Sequence, residues 1–170
     1  MSFATRSVHA ACTAQATFDS PLGAMLLART EAGLAGVWFE GQKDHPGVLA
    51  APERPDDPLL RAAATQLADY FAGRSARFDL PLDLQGTPFQ RGVWQALLGI
   101  GSGRTCSYAE IARRVGAPSA VRAVGSAIGK NPLSVIVPCH RVLGSGGALT
   151  GYAGGVERKR ALLALEGVVA

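Results

Sequence analysis

The stretch of sequence richest in chemistry is Val135-Ile136-Val137-Pro138-Cys139-His140-Arg141, where an apolar, β-branched run meets a proline, then a thiol beside an imidazole. A cysteine attacks as its thiolate, and a histidine near neutral pH can take the thiol proton. If Leu133–Val137 is a buried strand that Pro138 stops, adjacent side chains point to opposite faces, and direct Cys139–His140 contact is awkward. A bridging water would let the imidazole act at one remove. The competing reading is a buried, inert thiol beside a histidine satisfied in a turn, the commoner fate of a lone cysteine. A cysteine hydrolase would need a Cys–His pair in direct contact and an oxyanion hole, and an adjacent Cys-His does not supply the first.

The elements that must position this segment are legible from periodicity and caps. Ala14–Asp19, Ala24–Arg29 and Leu34–Phe39 read as strands of an antiparallel meander, separated by Ser20-Pro21-Leu22-Gly23 and Glu31-Ala32-Gly33. Gly41–Asp57 reads as a loop. From Pro58 the period becomes helical, with Leu60, Ala63, Leu67, Tyr70 and Phe71 on one face and Gly73 as the stop. Asp79–Leu84 is either a further strand or a linker. Thr87-Pro88-Phe89-Gln90 predicts a capped helix start with Phe89, Val93, Trp94 and Leu97 as its apolar stripe. Ser107-Tyr108-Ala109-Glu110 predicts a second capping box, with Gly116 at the helix end. A third short helix follows with Val121, Val124 and Ile128 inward, the outline of a helix-turn-helix. Gly144–Gly147 reads as a hairpin-like turn and Gly155–Glu166 as a last helix closed by Gly167.

Composition narrows the setting. The chain has 170 residues, 48% of them hydrophobic, which suits one ordinary domain or two small ones. No apolar run reaches the ~18 residues of a membrane span, and the N-terminus lacks a secretory leader. Cys12, Cys106 and Cys139 form neither a disulfide framework nor a zinc-type pair, so a cytoplasmic protein with reduced thiols is expected. Residues 1–85 carry seven Lys and Arg against ten Asp and Glu, whereas residues 86–170 carry ten against three. A basic half suggests a polyanionic partner, nucleic acid above all.

Pro138-Cys139-His140-Arg141-Val142 resembles the active-site signature of the O6-alkylguanine-DNA alkyltransferases, the methylated-DNA–protein-cysteine methyltransferases. Thr87-Pro88-Phe89-Gln90 with Val93-Trp94, Ser107-Tyr108 with Ile111-Ala112, Arg122-Ala123-Val124-Gly125, Asn131-Pro132, Leu149–Gly155 and Leu162-Leu163 to Glu166-Gly167 extend the resemblance over about residues 86–167. In the first half, only Asp19-Ser20-Pro21-Leu22-Gly23 is similar. The resemblance implies an α+β fold. A small N-terminal domain (1–85) with an antiparallel sheet plus helix, RNase H-like, precedes a mainly helical, winged helix-turn-helix-like DNA-binding and catalytic domain (86–170).

It also implies a direct-reversal repair protein that moves the alkyl group of O6-alkylguanine, and of O4-methylthymine, irreversibly onto its own Cys139. His140 would take the thiol proton through a water, Glu166 would hold the imidazole, and Tyr108 would protonate the departing guanine. Asn131 would brace the segment carrying Cys139. A carboxylate at a helix C-terminus opposes the helix dipole, so Glu166 is poorly placed unless it has such a task. Double-stranded DNA would be met through the minor groove by Arg122, Ala123, Gly125, Ser126 and Ala127, with Arg122 filling the gap left by a flipped base. Pro138, Val142, Leu149, Tyr152, Ala153 and Gly154 would wall the base pocket. A monomer is implied, with cooperative clustering on DNA left open. No cofactor is implied, and no metal, since Thr30 and Ala35 stand where two ligands of zinc-binding relatives would fall. The alternative is a helix-turn-helix regulator or lesion sensor with a non-catalytic thiol.

Overall fold

The computed structural model describes residues 8–169. Strands β1 (Ala14–Ser20), β2 (Gly23–Arg29) and β3 (Leu34–Phe39) form an antiparallel sheet in that order, with helix α1 (Pro58–Phe71) packed against it. The first turn is tight enough for Ser20 to pair with Gly23, whose φ of 114° is open only to glycine at low cost. All six residues of β3 are buried, as a strand covered on both faces must be. Asp57 caps α1 by accepting from the Leu60 amide at 3.0 Å, and Leu60, Ala63, Leu67 and Tyr70 form its buried face.

The second half is built on helices α2 (Pro88–Leu97), α3 (Tyr108–Arg114), α4 (Val121–Gly129) and α5 (Val156–Leu165). The reciprocal capping box of Thr87 and Gln90 opens α2, and Trp94 donates its indole N–H to the Ala127 carbonyl at 2.8 Å, tying α2 to α4. Phe89 is 41% exposed, because its place in the first turn lies ahead of the packed face. The expected box at α3 closes on one side only: Ser107 accepts from the Glu110 amide at 3.1 Å, while the Glu110 carboxylate turns to Arg113 and Arg114. On α4, Val124, Ala127 and Ile128 face the core and Val121 sits at the rim.

The expected strand at Leu133–Val137 does not form. Only Leu133 bridges to Val37, and the chain then winds tightly, with amide bonds from Ile136 to the Ser134 carbonyl and from Val137 to the Leu133 carbonyl, both 2.9 Å. Val135 sits at a φ of 74°, a strain on the order of 1–3 kcal/mol for such a residue. The run is apolar because it is buried throughout, and burial alone does not distinguish a strand from a wound loop. Cys139–Arg141 is accordingly one turn of 3-10 helix rather than extended chain. Asp79–Leu84 contributes one bridge, Leu82 to Leu34, and otherwise links the halves. Ser145–Gly147 is a 3-10 turn, and the short β5 (Val142–Leu143) pairs in parallel with β4 (Cys106–Ser107). One continuous core runs through both halves, from Met25, Phe39 and Leu67 to Trp94, Val137 and Leu162. Among the described residues, no helix is long and apolar enough to cross a membrane.

Candidate active site

Cys139 opens the 3-10 turn with 7% of its surface exposed. Asn131 braces it from the end of α4: its side-chain amide donates to the Val137 carbonyl at 2.8 Å and to Cys139 Sγ at 3.2 Å, while its Oδ1 accepts from the Leu133 amide at 2.9 Å. Burial pushes the Cys139 thiol up, against the opposing pull of the Asn131 bond and the Lys159 charge. The resting thiol is therefore protonated at neutral pH and needs a base.

The candidate base, His140, is adjacent in sequence but faces the other way. A 3-10 turn rotates successive side chains by a third of a circle, so Cys139 lines an open cleft while His140 is fully buried. His140 Nε2 lies 2.8 Å from Glu166 Oε2, and its Nδ1 is buried with no hydrogen-bond partner among the described residues. Burial pulls His140 below the ordinary histidine range more than Glu166 pulls it back, so the imidazole is neutral at pH 7 and able to accept a proton. Glu166 caps the C-terminus of α5, where Gly167 at a φ of 82° ends the helix and the carboxylate folds inward, its side chain 1% exposed. Burial works against its charge, yet hydrogen bonds from His140, Arg141 and Tyr70 outweigh that and hold the carboxyl well below the usual carboxylate range. These donors answer the dipole objection: the acid is placed for its side-chain partners, not for its helix.

Sequence reasoning assigned no role to Arg141, Tyr70 or Lys159. Arg141 binds Glu166 through Nε and Nη2 at 2.7 and 2.9 Å and the Ile100 carbonyl through Nη1. Its only signal was adjacency to Cys139-His140. Tyr70 reads as a core position of an amphipathic helix, which it also is. Lys159 lies on the buried side of α5, with Nζ donating to the Thr150 carbonyl at 3.1 Å, and so anchors the 144–153 loop.

The cleft has a volume of about 900 Å³ and runs between α3, α4 and that loop. Tyr108, Arg122, Gly125, Ser126, Cys139, Tyr152 and Ala153 all line it. Thr150 donates to the Tyr108 hydroxyl at 3.2 Å across it. Four of the expected wall residues do not reach the cleft. Val142 is buried in the core and Pro138 lines a separate cavity behind the 3-10 turn. Leu149 and Gly154 lie outside the lining, Gly154 being pressed so close to Tyr152 that a Cβ would come within 2.7 Å of its ring. On α4, Ala123 is exposed away from the cleft, and Ala127 is only 3% exposed because it packs inward beside Trp94. Thr30 donates to Asp83 at 2.6 Å, and Ala35 is buried in β3.

Known proteins resemble the chain along most of its length. Residues 14–84 match the model of the 6-O-methylguanine DNA methyltransferase ribonuclease-like domain, and residues 88–168 that of the same family's DNA binding domain. A methylated-DNA–protein-cysteine methyltransferase of Mycobacterium bovis is 51% identical over 150 residues, covering 88% of this chain and 90% of its own. One from Methanosarcina acetivorans is 47% identical over 155 residues, covering 89% and 97%. The crystal structure of Mycobacterium tuberculosis OGT in complex with DNA superposes with a TM-score of 0.81 at 49% identity, covering 90% of this chain and 92% of that one.

Proposed function

The chain belongs to the 6-O-methylguanine DNA methyltransferase family, and from that premise we propose how its own residues divide the work of direct-reversal DNA repair. The protein is a methylated-DNA–protein-cysteine S-methyltransferase, and the alkyl group ends on a cysteine of the protein itself. Cys139 is the acceptor. Its proton passes to His140 Nδ1, through a water, as Sγ forms a bond to the alkyl carbon. The bond from that carbon to guanine O6 breaks as the Tyr108 hydroxyl gives its proton to a ring nitrogen of the departing base, so guanine leaves neutral. Glu166 holds the resulting imidazolium, as the acid of a triad does. The observation that carries this reading is a nearly buried thiol on the cleft wall, followed in the chain by a buried imidazole whose Nε2 is held by a carboxylate. A thioether has no carbonyl for water to attack, so each molecule acts once.

The substrate base must leave the duplex to reach Cys139. We propose that double-stranded DNA is engaged through its minor groove by a monomer, with Gly125 and Ser126 allowing close approach and Arg122 occupying the vacated stack. Phosphate contacts by the basic residues of the second half supply affinity without a base code. Residues 1–85 and 86–170 are proposed as the two domains, and the cytoplasm as the place of work.

The test is the mass of the protein and of its peptides after mixing with a duplex carrying one O6-methylguanine. The expected result is a gain of one methylene on the Cys139 peptide, saturating at one per protein. Tight binding to the duplex with no gain would leave a lesion sensor. Arg122→Ala is expected to slow repair in duplex roughly tenfold or more, in line with the few kcal/mol of unstacking that the inserted side chain offsets. Transfer from free O6-methylguanine should change little, and equal losses on both substrates would count against base flipping.

A further inference from the structure

The carboxylate that steadies His140 is also gripped from the other half of the molecule. The Tyr70 hydroxyl, 96 residues away in sequence, donates to Glu166 Oε2 at 2.6 Å. The same oxygen faces His140 Nε2 at 2.8 Å and Arg141 Nη2 at 2.9 Å, while Arg141 Nε takes Oε1 at 2.7 Å. A carboxylate offers about four lone-pair positions. Three donors crowd one oxygen, so each receives a share of its charge, and Tyr70 competes with His140 for that share. We propose that Tyr70 is a positioning residue for alkyl transfer, one that keeps His140 a neutral proton acceptor by drawing off part of the Glu166 charge.

The inference rests on His140 serving as the base. It uses the hydroxyl, not the ring. The Tyr70 ring packs against Phe71 and Phe78 with centroids 5.3 and 5.7 Å away, contacts that phenylalanine would keep. The other charged or titratable groups around the pair are Arg141 on the 3-10 turn, Lys159 on α5, Cys139 itself and Tyr152, whose buried hydroxyl interacts with both Tyr70 and Cys139, and both cations already disfavour a proton on His140. Tyr70 itself is uncharged. Burial, followed by the contact with Glu166, pushes its hydroxyl up, so it stays a donor throughout the working range.

The sign follows directly. Without the Tyr70 bond, Oε2 binds the His140 proton more tightly, the imidazolium persists to higher pH, and the proton acceptor is lost there. Single-turnover transfer from an O6-methylguanine duplex, followed across pH, reads this as the acid limb of the rate profile. Tyr70→Phe should move that limb upward by about half a unit to one unit, with the plateau rate changed only a few fold. Site-specific 3-fluorotyrosine at position 70 is a stronger donor of nearly unchanged shape and should move the limb the other way. This second protein keeps the test decisive even if the phenylalanine variant fails to fold. In parallel, ring NMR of His140 locates its own titration in each protein. A limb that tracks His140 in the parent but stays put with fluorotyrosine and with Phe overturns the role of Tyr70 alone. A parent limb unrelated to the His140 titration overturns the base assignment instead.

Discussion

Cys139→Ala is expected to abolish alkyl transfer outright while leaving the fold and the affinity for lesion-bearing duplex close to those of the parent. The first part follows from chemistry, because no other described thiol lines the cleft: Cys106 is buried beside Ser107, and Cys12 lies in the other half, its thiol pushed up to about 11 by burial and the charge of Asp83. The second part follows from the hydrogen bonds. Removing Sγ takes one acceptor from Asn131, but its side-chain amide keeps the Val137 carbonyl at 2.8 Å and its Oδ1 keeps the Leu133 amide. The amide's second N–H falls back on the Leu133 carbonyl at 3.4 Å, so no buried donor is orphaned, and the loss should stay near 1 kcal/mol. Peptide mass after reaction, together with a binding isotherm on the same duplex, checks both parts. Residual transfer would move the acceptor elsewhere, and lost binding would mean that the thiol holds the cleft in shape.

Glu166→Gln should have a double effect, on rate and on stability. The substitution keeps the volume but replaces an anion that accepts four hydrogen bonds with an amide. Arg141, with 7% of its side chain exposed, is left without a counter-charge, a situation that typically costs about 3–5 kcal/mol. His140 loses the group that stabilises its charged form, so transfer should slow roughly 10²- to 10⁴-fold and the apparent pKa of Cys139 should rise. The stability loss has a defined pH dependence. The folded carboxyl titrates well below the unfolded one, so its contribution is fully present above an unfolded pKa of about 4.3 and fades as pH falls beneath it. Urea melts at pH 7 should separate the two proteins clearly, and the gap should narrow as pH falls below about 4.3, closing only once the folded carboxyl itself is protonated. An unchanged thiol titration would remove Glu166 from the relay.

What could be read from the sequence was what short range decides. The helix start at Pro58, the cap at Thr87 and the strands of the meander depend on neighbours within a few residues, and they stand where pattern put them. The family signature around Cys139 brought His140, Asn131, Glu166 and Tyr108 into view; in the fold Asn131 donates to the thiol, Glu166 holds His140, and Tyr108 lines the same cleft as Cys139. Contacts that cross the chain were hidden. Tyr70 shows the same helical spacing whether it meets a leucine or a carboxylate. Val135 looks like any β-branched residue of a buried strand, and only tertiary packing forces its positive φ. Tyr152 and Ala153 line the cleft and the other four expected wall residues do not, for a related reason: motif adjacency places a residue near the cleft, but the local winding of the backbone decides which side chains face into it. Val142 and Pro138, one after and one before the 3-10 turn, point away.

The loop that carries Cys139 has a second occupation. Strand β3 pairs with β2 on one side, and on the other its Val37 amide donates to Pro132 and its carbonyl accepts from Ser134, at 2.8 and 2.9 Å. The outermost strand of a sheet, if left open, is a template on which other chains add strands and precipitate. In this protein two segments close that edge: the approach to the acceptor at Val37, and residues 81–83 at Leu34, whose amide donates to the Pro81 carbonyl and whose carbonyl accepts from the Asp83 amide, both at 2.8 Å. Loosening residues 131–138 would bare the Val37 end of a strand whose six residues are all buried.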